Sequence, residues 1–136
     1  MSNIEQTLSI IKPDAVERKL ENEIKEMFKN SDFTIVKEKK IQLAKSEAEQ
    51  FYKVHETKPF YNDLCAYLSS GPIVVMILEK DNAVFDNRKL MGATNPQDAE
   101  EETIRKKFGI SIDKNSVHGS DSVENGKIEI DFFFKD

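Results

Sequence analysis

Six consecutive apolar residues, Ile73-Val74-Val75-Met76-Ile77-Leu78, constrain this chain more than any other stretch. A bilayer-crossing helix needs roughly 20 apolar residues, so the run cannot span a membrane. It follows Gly71-Pro72 and is rich in β-branched side chains, which predicts a strand buried on both faces. Such a strand needs a neighbour on each side and a covering layer above and below.

The rest of the chain offers the neighbours. Thr7-Leu8-Ser9-Ile10-Ile11 is β-prone and stops at Lys12-Pro13-Asp14, because Pro13 has no N–H to give to a ladder. Lys12 is thereby displayed at a strand end. Phe33-Thr34-Ile35-Val36 begins another strand that continues toward Leu43, with Lys37, Lys39 and Lys40 marking a solvated or charge-blunted edge. Ile128-Glu129-Ile130-Asp131 alternates with period two and runs into Phe132-Phe133-Phe134, which predicts a final strand.

Helices fall between these strands. Leu20, Ile24, Met27 and Phe28 have helical spacing, and their face is core. Ser46 and Glu49 have capping-box spacing and open a helix through Tyr52 and Val54. A further helix over 62–69 is bounded by Pro59 and Gly71-Pro72, and Asn82 caps one that carries Val84, Phe85, Arg88 and Leu90. Residues 91–117 break the regular pattern, and a long irregular segment in a compact domain is usually a functional loop. The order strand, helix, strand, helices, strand, helix, loop, strand favours an α+β sandwich within one domain over 1–136.

Bulk properties narrow the function. A net charge of −5 argues against a dedicated nucleic-acid surface or general binding to anionic membranes, while leaving room for a local basic pocket. The single cysteine, Cys65, lies between Leu64 and Ala66 and reads as a buried structural thiol. The N-terminus has no basic-then-apolar signal pattern, so a cytoplasmic protein is the default.

Asn115-Ser116-Val117-His118-Gly119-Ser120-Asp121-Ser122 holds one of the two histidines. A histidine can serve as base, metal ligand or nucleophile. Gly119 permits a tight turn or a close backbone approach to a ligand. Asp121-Ser122-Val123-Glu124 has capping-box spacing, so a helix starts just after His118 and ends early at Asn125-Gly126. The free N–H groups at its start would favour a neutral imidazole and an anion such as phosphate.

The pattern Asn115-x-x-His118-Gly119-Ser120-Asp121 resembles the active-site motif of nucleoside diphosphate kinases, and Ile11-Lys12-Pro13-Asp14 is similar to the family's first motif block. The supporting matches run from Thr7 to Phe134. The resemblance, closest to the short bacterial type, implies a ferredoxin-like sandwich with a four-stranded antiparallel sheet. It implies transfer of the γ-phosphate of a nucleoside triphosphate to a nucleoside diphosphate through a phosphohistidine on His118. The implied catalytic set is His118, Glu129, Ser120 and Lys12, with Glu129 orienting His118 directly or through Ser120. The implied nucleotide contacts are Lys12, Tyr52, Phe60, Leu64, Arg88, Thr94, Arg105, Ile112 and Asn115: Phe60 and Ile112 on the base, Asn115 and Lys12 on the sugar, and Arg88, Thr94, Arg105 and Lys12 on the phosphates. Mg²⁺ would arrive on those phosphates, and the protein would form a homo-oligomer, a tetramer or a hexamer. The chain departs from the family at Asn22, often a glycine; at Glu101-Glu102, usually Pro-Gly; and at Lys107, usually acidic.

Overall fold

A computed structural model describes residues 4–111 and 114–134. Its strands are β1 (Ile4–Ile11), β2 (Thr34–Ile41), β3 (Ile73–Asp81) and β4 (Val117–Gly119). They form one sheet in the order β2-β3-β1-β4, with every neighbouring pair antiparallel. The helices are α1 (Pro13–Glu17), α2 (Glu21–Asn30), α3 (Lys45–Phe51), α4 (Tyr61–Leu68), α5 (Ala83–Met91), α6 (Ile104–Phe108) and α7 (Val123–Phe133). This is the four-stranded antiparallel α+β arrangement that the resemblance implies.

The apolar run is central, as its composition requires. Val74, Met76 and Leu78 join Ile11, Ile24, Phe28 and Val117 in one core. Ile73 and Val75 join Leu8, Ile10, Leu68 and Phe133 in a second. The period-two alternation of β1 and β3 therefore feeds two cores, one on each face of the sheet. Cys65 is fully buried in the second.

Several local readings need correction. The predicted final strand, Ile128–Phe134, is helical: α7 runs unbroken from Val123 to Phe133. Ser122 caps it, its Oγ accepting from the Asn125 N–H at 3.1 Å. Gly126 is not a stop but a point of close approach, since a Cβ there would meet the Gln6 carbonyl oxygen at 3.3 Å. Ile130 and Phe133 then pack into the second core at helical spacing, while Ile128 is 66% exposed. Alternation over four residues is too short to outweigh a helix docked by three-residue steps.

The fourth strand is the His118 segment itself. Its register, Ile11↔Val117, Ile10↔His118 and Ser9↔Gly119, needs no side-chain pattern of its own because β1 supplies the ladder. Pro13, besides ending β1, opens α1 at its first position, where a missing N–H costs nothing. α3 starts earlier than the Ser46 spacing indicates: Ala44 is the cap residue, and the Glu47 carboxylate accepts from its N–H at 2.9 Å. The irregular 91–117 stretch contains α6 and a short 3-10 turn over Pro96–Asp98.

Candidate active site

β4 hangs on the edge of the sheet, and its side chains alternate across it. His118 pairs with Ile10 and so faces the core that α7 covers. There its Nε2 lies 3.2 Å from Glu129 Oε1 of α7, and the Ser120 hydroxyl donates to the same oxygen at 2.7 Å. Ser120 Oγ also accepts from the Leu8 N–H at 3.1 Å, locking the hydroxyl to β1. The Phe51 ring stands edge-on against the imidazole, centroids 5.4 Å apart. A carboxylate on Nε2 selects the tautomer with the proton there and leaves the Nδ1 lone pair available.

Gly119 points the other way, toward α5. A Cβ there would collide with the Asn87 side-chain amide and come within 2.9 Å of Met91 Cε. Its φ is not positive, so the turn reading does not apply. The close approach is to a helix of the same chain.

A second group forms around the loop. Lys12 is 6% exposed and donates through Nζ to Asn115 Oδ1 at 2.9 Å. Asn115 passes the connection on, its Nδ2 donating to the Thr94 carbonyl at 3.0 Å. Arg105 is buried and donates to the Gly92 carbonyl at 3.0 Å and the Val117 carbonyl at 2.9 Å. It thus ties the loop to the strand that bears His118. Burial, with a smaller contribution from the positive charge of Arg88, pushes its guanidinium down to about 10. Two mutually repelling guanidinium groups make a place where an anion is favoured.

Arg88, Thr94 and Arg105 line one cavity of about 980 Å³, together with Asp121 and Ser122 from the turn after β4. His118, Lys12, Asn115, Tyr52, Phe60 and Leu64 lie outside its lining. The structure thus gathers the anion-binding side chains in a concave surface, with the imidazole and the aromatic groups beyond its wall.

The aromatic group forms a chain. Tyr52 and His55 have ring centroids 6.3 Å apart, and His55 and Phe60 6.2 Å. Phe60 is 47% exposed, available for stacking, whereas Leu64 packs against the second core. Tyr52 is buried; burial first and the Glu129 charge second raise its hydroxyl well above the usual phenol range. Ile112 lies outside the described residues. Sequence reasoning missed Phe51, whose position beside Tyr52 at a helix end was the one available signal.

The family profile described as nucleoside diphosphate kinase matches residues 5–136. The chain belongs to the nucleoside diphosphate kinase family. It is 55% identical over 132 residues to a nucleoside diphosphate kinase of Campylobacter jejuni, covering 97% of this chain and 96% of that one. A Geobacter sulfurreducens relative with the same name is 56% identical over 131 residues, covering 96% of each. The crystal structure of Aquifex aeolicus nucleoside diphosphate kinase superimposes with a TM-score of 0.96 at 36% identity, covering 98% of this chain and 96% of that one. That of Encephalitozoon cuniculi gives 0.93 at 36% identity, covering 97% and 90%. As a member of the family, this chain is a phosphotransferase acting between nucleotides.

The departures from the nucleoside diphosphate kinase pattern acquire a location. Glu102 has φ +72, the left-handed region that favours glycine, which is what the family usually carries there. Lys107 and Asn22 are exposed. None of the three lines the cavity that holds Arg88, Thr94 and Arg105.

Proposed function

We propose that Nδ1 of His118 is the atom that accepts and returns the phosphoryl group. The observation that carries this reading is the 3.2 Å contact between His118 Nε2 and Glu129 Oε1, reinforced by Ser120 at 2.7 Å. With Nε2 holding the proton, Nδ1 attacks the γ-phosphorus of a nucleoside triphosphate in line. The bond to the β–γ bridging oxygen breaks, and the nucleoside diphosphate leaves. A second diphosphate then takes the phosphoryl group from the imidazole, which is ping-pong covalent catalysis. Arg88, Arg105, Thr94 and Lys12 stabilise charge spread over the phosphoryl oxygens. Lys12 and Asn115 hold the sugar. Phe60 stacks on the base with Ile112 opposite and Leu64 beneath, and stacking accepts any base because each has a π-face. Tyr52, its hydroxyl kept protonated by burial and by the charge of Glu129, contacts the nucleotide.

Phosphoryl transfer in this family needs a divalent cation, and we take it to be Mg²⁺. The cavity wall that carries Arg88 and Thr94 also carries Asp121, a hard oxygen donor. Phosphate oxygens of the nucleotide would supply the other ligands, the usual mode for Mg²⁺. The cation would neutralise charge on the transferring group. Among the described residues no helix is long and apolar enough to cross a membrane. We take the whole chain as one kinase domain that works in the cytoplasm as a homo-oligomer, a tetramer or a hexamer. The largely exposed edge strand β2 offers a surface for such assembly.

Intact-protein mass after brief incubation with ATP and Mg²⁺ tests the reading. One acid-labile phosphate, discharged by a nucleoside diphosphate and absent in His118→Ala, is the expected result. Turnover by His118→Ala at the wild-type rate would overturn it.

A further inference from the structure

Asp14 has no part in the chemistry above, yet its side chain is among the most enclosed charges in the molecule, with the residue only 4% exposed. Both carboxylate oxygens are used. Oδ2 accepts from Ser116 Oγ at 2.9 Å and from Arg18 Nη2 at 3.0 Å. Oδ1 accepts from the Tyr67 hydroxyl of α4, which in turn accepts from the Asp14 N–H at 3.0 Å. The same Arg18 nitrogen donates to the Phe108 carbonyl at the end of α6 and reaches Ser116 Oγ at 3.3 Å. One carboxylate therefore joins α1, α4, the end of α6 and the residue that precedes β4.

Ser116 is the residue under constraint. It is fully buried with φ +75, a conformation that a side chain resists unless its surroundings enforce it. Its carbonyl accepts from the Lys12 N–H at 2.8 Å, and its neighbour Asn115 accepts from Lys12 Nζ at 2.9 Å. The twist at 116 thus sets where Lys12 and Asn115 stand. His118 is secured separately, by Glu129 and Ser120 on the α7 side of the sheet.

We propose that Asp14 is a positioning residue for the nucleotide: it holds Ser116 in its left-handed conformation and so places the Lys12–Asn115 pair, independently of the imidazole. The inference rests on the assignment of Lys12 and Asn115 to nucleotide binding. Removing Asp14 then weakens nucleotide capture and leaves the reactivity of the imidazole intact.

The experiment compares two phosphate donors on wild type, Asp14→Ala, Asp14→Asn and Asp14→Ala combined with Ser116→Gly. ATP with Mg²⁺ reports nucleotide binding plus chemistry; phosphoramidate, which phosphorylates histidine without a nucleotide, reports the imidazole alone. Asp14→Ala should raise the KM for ATP roughly ten- to a hundredfold, the usual cost of losing a supporting partner, with a smaller change in kcat. Phosphoramidate labelling of His118 should stay at the wild-type rate. Asp14→Asn keeps an acceptor for Ser116 and should recover part of the loss. Ser116→Gly adopts the left-handed conformation without strain, so adding it to Asp14→Ala should bring KM back toward the wild-type value. An unchanged KM in the folded Asp14 variants overturns the proposal, as does a KM that adding Ser116→Gly to Asp14→Ala fails to improve, or equal loss with both donors. Wild type that ATP fails to label would instead overturn the phosphohistidine assignment itself.

Discussion

His118 Nε2 and Glu129 Oε1 meet at 3.2 Å across the joint between the last strand and the last helix. Eleven positions separate them in the chain, and neither is placed by local preference. β1 positions the histidine through the ladder, and the second core positions the glutamate through α7. Glu129→Ala should therefore lower kcat/KM by about ten- to a hundredfold, as loss of an orienting partner does. Nucleotide affinity should change little. Single-turnover phosphorylation of His118, measured beside equilibrium nucleotide binding, separates the two.

Ser120 links that pair to the sheet, accepting from the Leu8 N–H while donating to Glu129. Ser120→Ala strands a buried backbone donor, at a cost of about 1–3 kcal/mol. Urea unfolding should show this loss in addition to a slower phosphorylation rate. A slower rate with unchanged stability would mean that Leu8 finds another acceptor.

Gly119 and Asn87 should be energetically coupled. Gly119→Ala drives a Cβ into the Asn87 amide and should cost about 1–3 kcal/mol, in the range of core overpacking. Asn87 is fully buried with both amide atoms unpaired among the described residues, so Asn87→Ala alone should cost little. The double variant should recover most of the Gly119→Ala loss. A double-mutant cycle with a coupling below about 0.5 kcal/mol would contradict this contact.

Glu102→Gly should stabilise the fold. The left-handed conformation costs a side-chain-bearing residue roughly 1–2 kcal/mol, against about 0.5–1 kcal/mol of extra chain entropy that glycine brings to the unfolded state. The net gain should raise Tm by about 2–4 °C, with kcat unchanged because residue 102 lies outside the cavity. Differential scanning calorimetry and a coupled assay check both halves.

Anion binding should weaken at high pH. Only the protonated guanidinium of Arg105 attracts phosphate, and burial has pushed that group down to about 10 in the free protein. As pH rises through about 10 the charged fraction falls, so pyrophosphate affinity should fall with it; bound anion pulls the proton affinity back up. Titration calorimetry across pH 8.5 to 10.5 in wild type and Arg105→Gln tests the sign. The variant should bind more weakly at the lower pH and show a flatter profile.

The sequence by itself determined the α+β class and three of the four strands, and its motifs carried the family resemblance. The apolar run at 73–78 read as a central buried strand, Thr7–Ile11 as a second strand, and the resemblance carried by the His118 and Lys12 motifs implied the roles of Lys12, Arg88, Thr94, Arg105, Asn115 and His118. The strand and the two motifs are local, written in nearly consecutive residues, whereas Arg88, Thr94 and Arg105 carry no local signal and were reached only through the resemblance.

Tertiary structure decided the rest. Residues 128–134 alternate like a strand, yet they are helical because Ile130 and Phe133 dock on β1 at helical spacing and Gly126 lets the helix approach. The His118 segment carries no strand pattern, yet it is a strand because β1 has a free edge to pair with it. Glu129 was named as the residue that orients the imidazole, but its route there, from a helix instead of a strand, was not legible. Asp14 reads in the sequence as the residue after a strand end and is a buried hub, since Tyr67 and Ser116 converge on it from distant parts of the chain beside its helical neighbour Arg18. In each case long-range packing supplies more free energy than a few residues of local pattern, so it overrides that pattern.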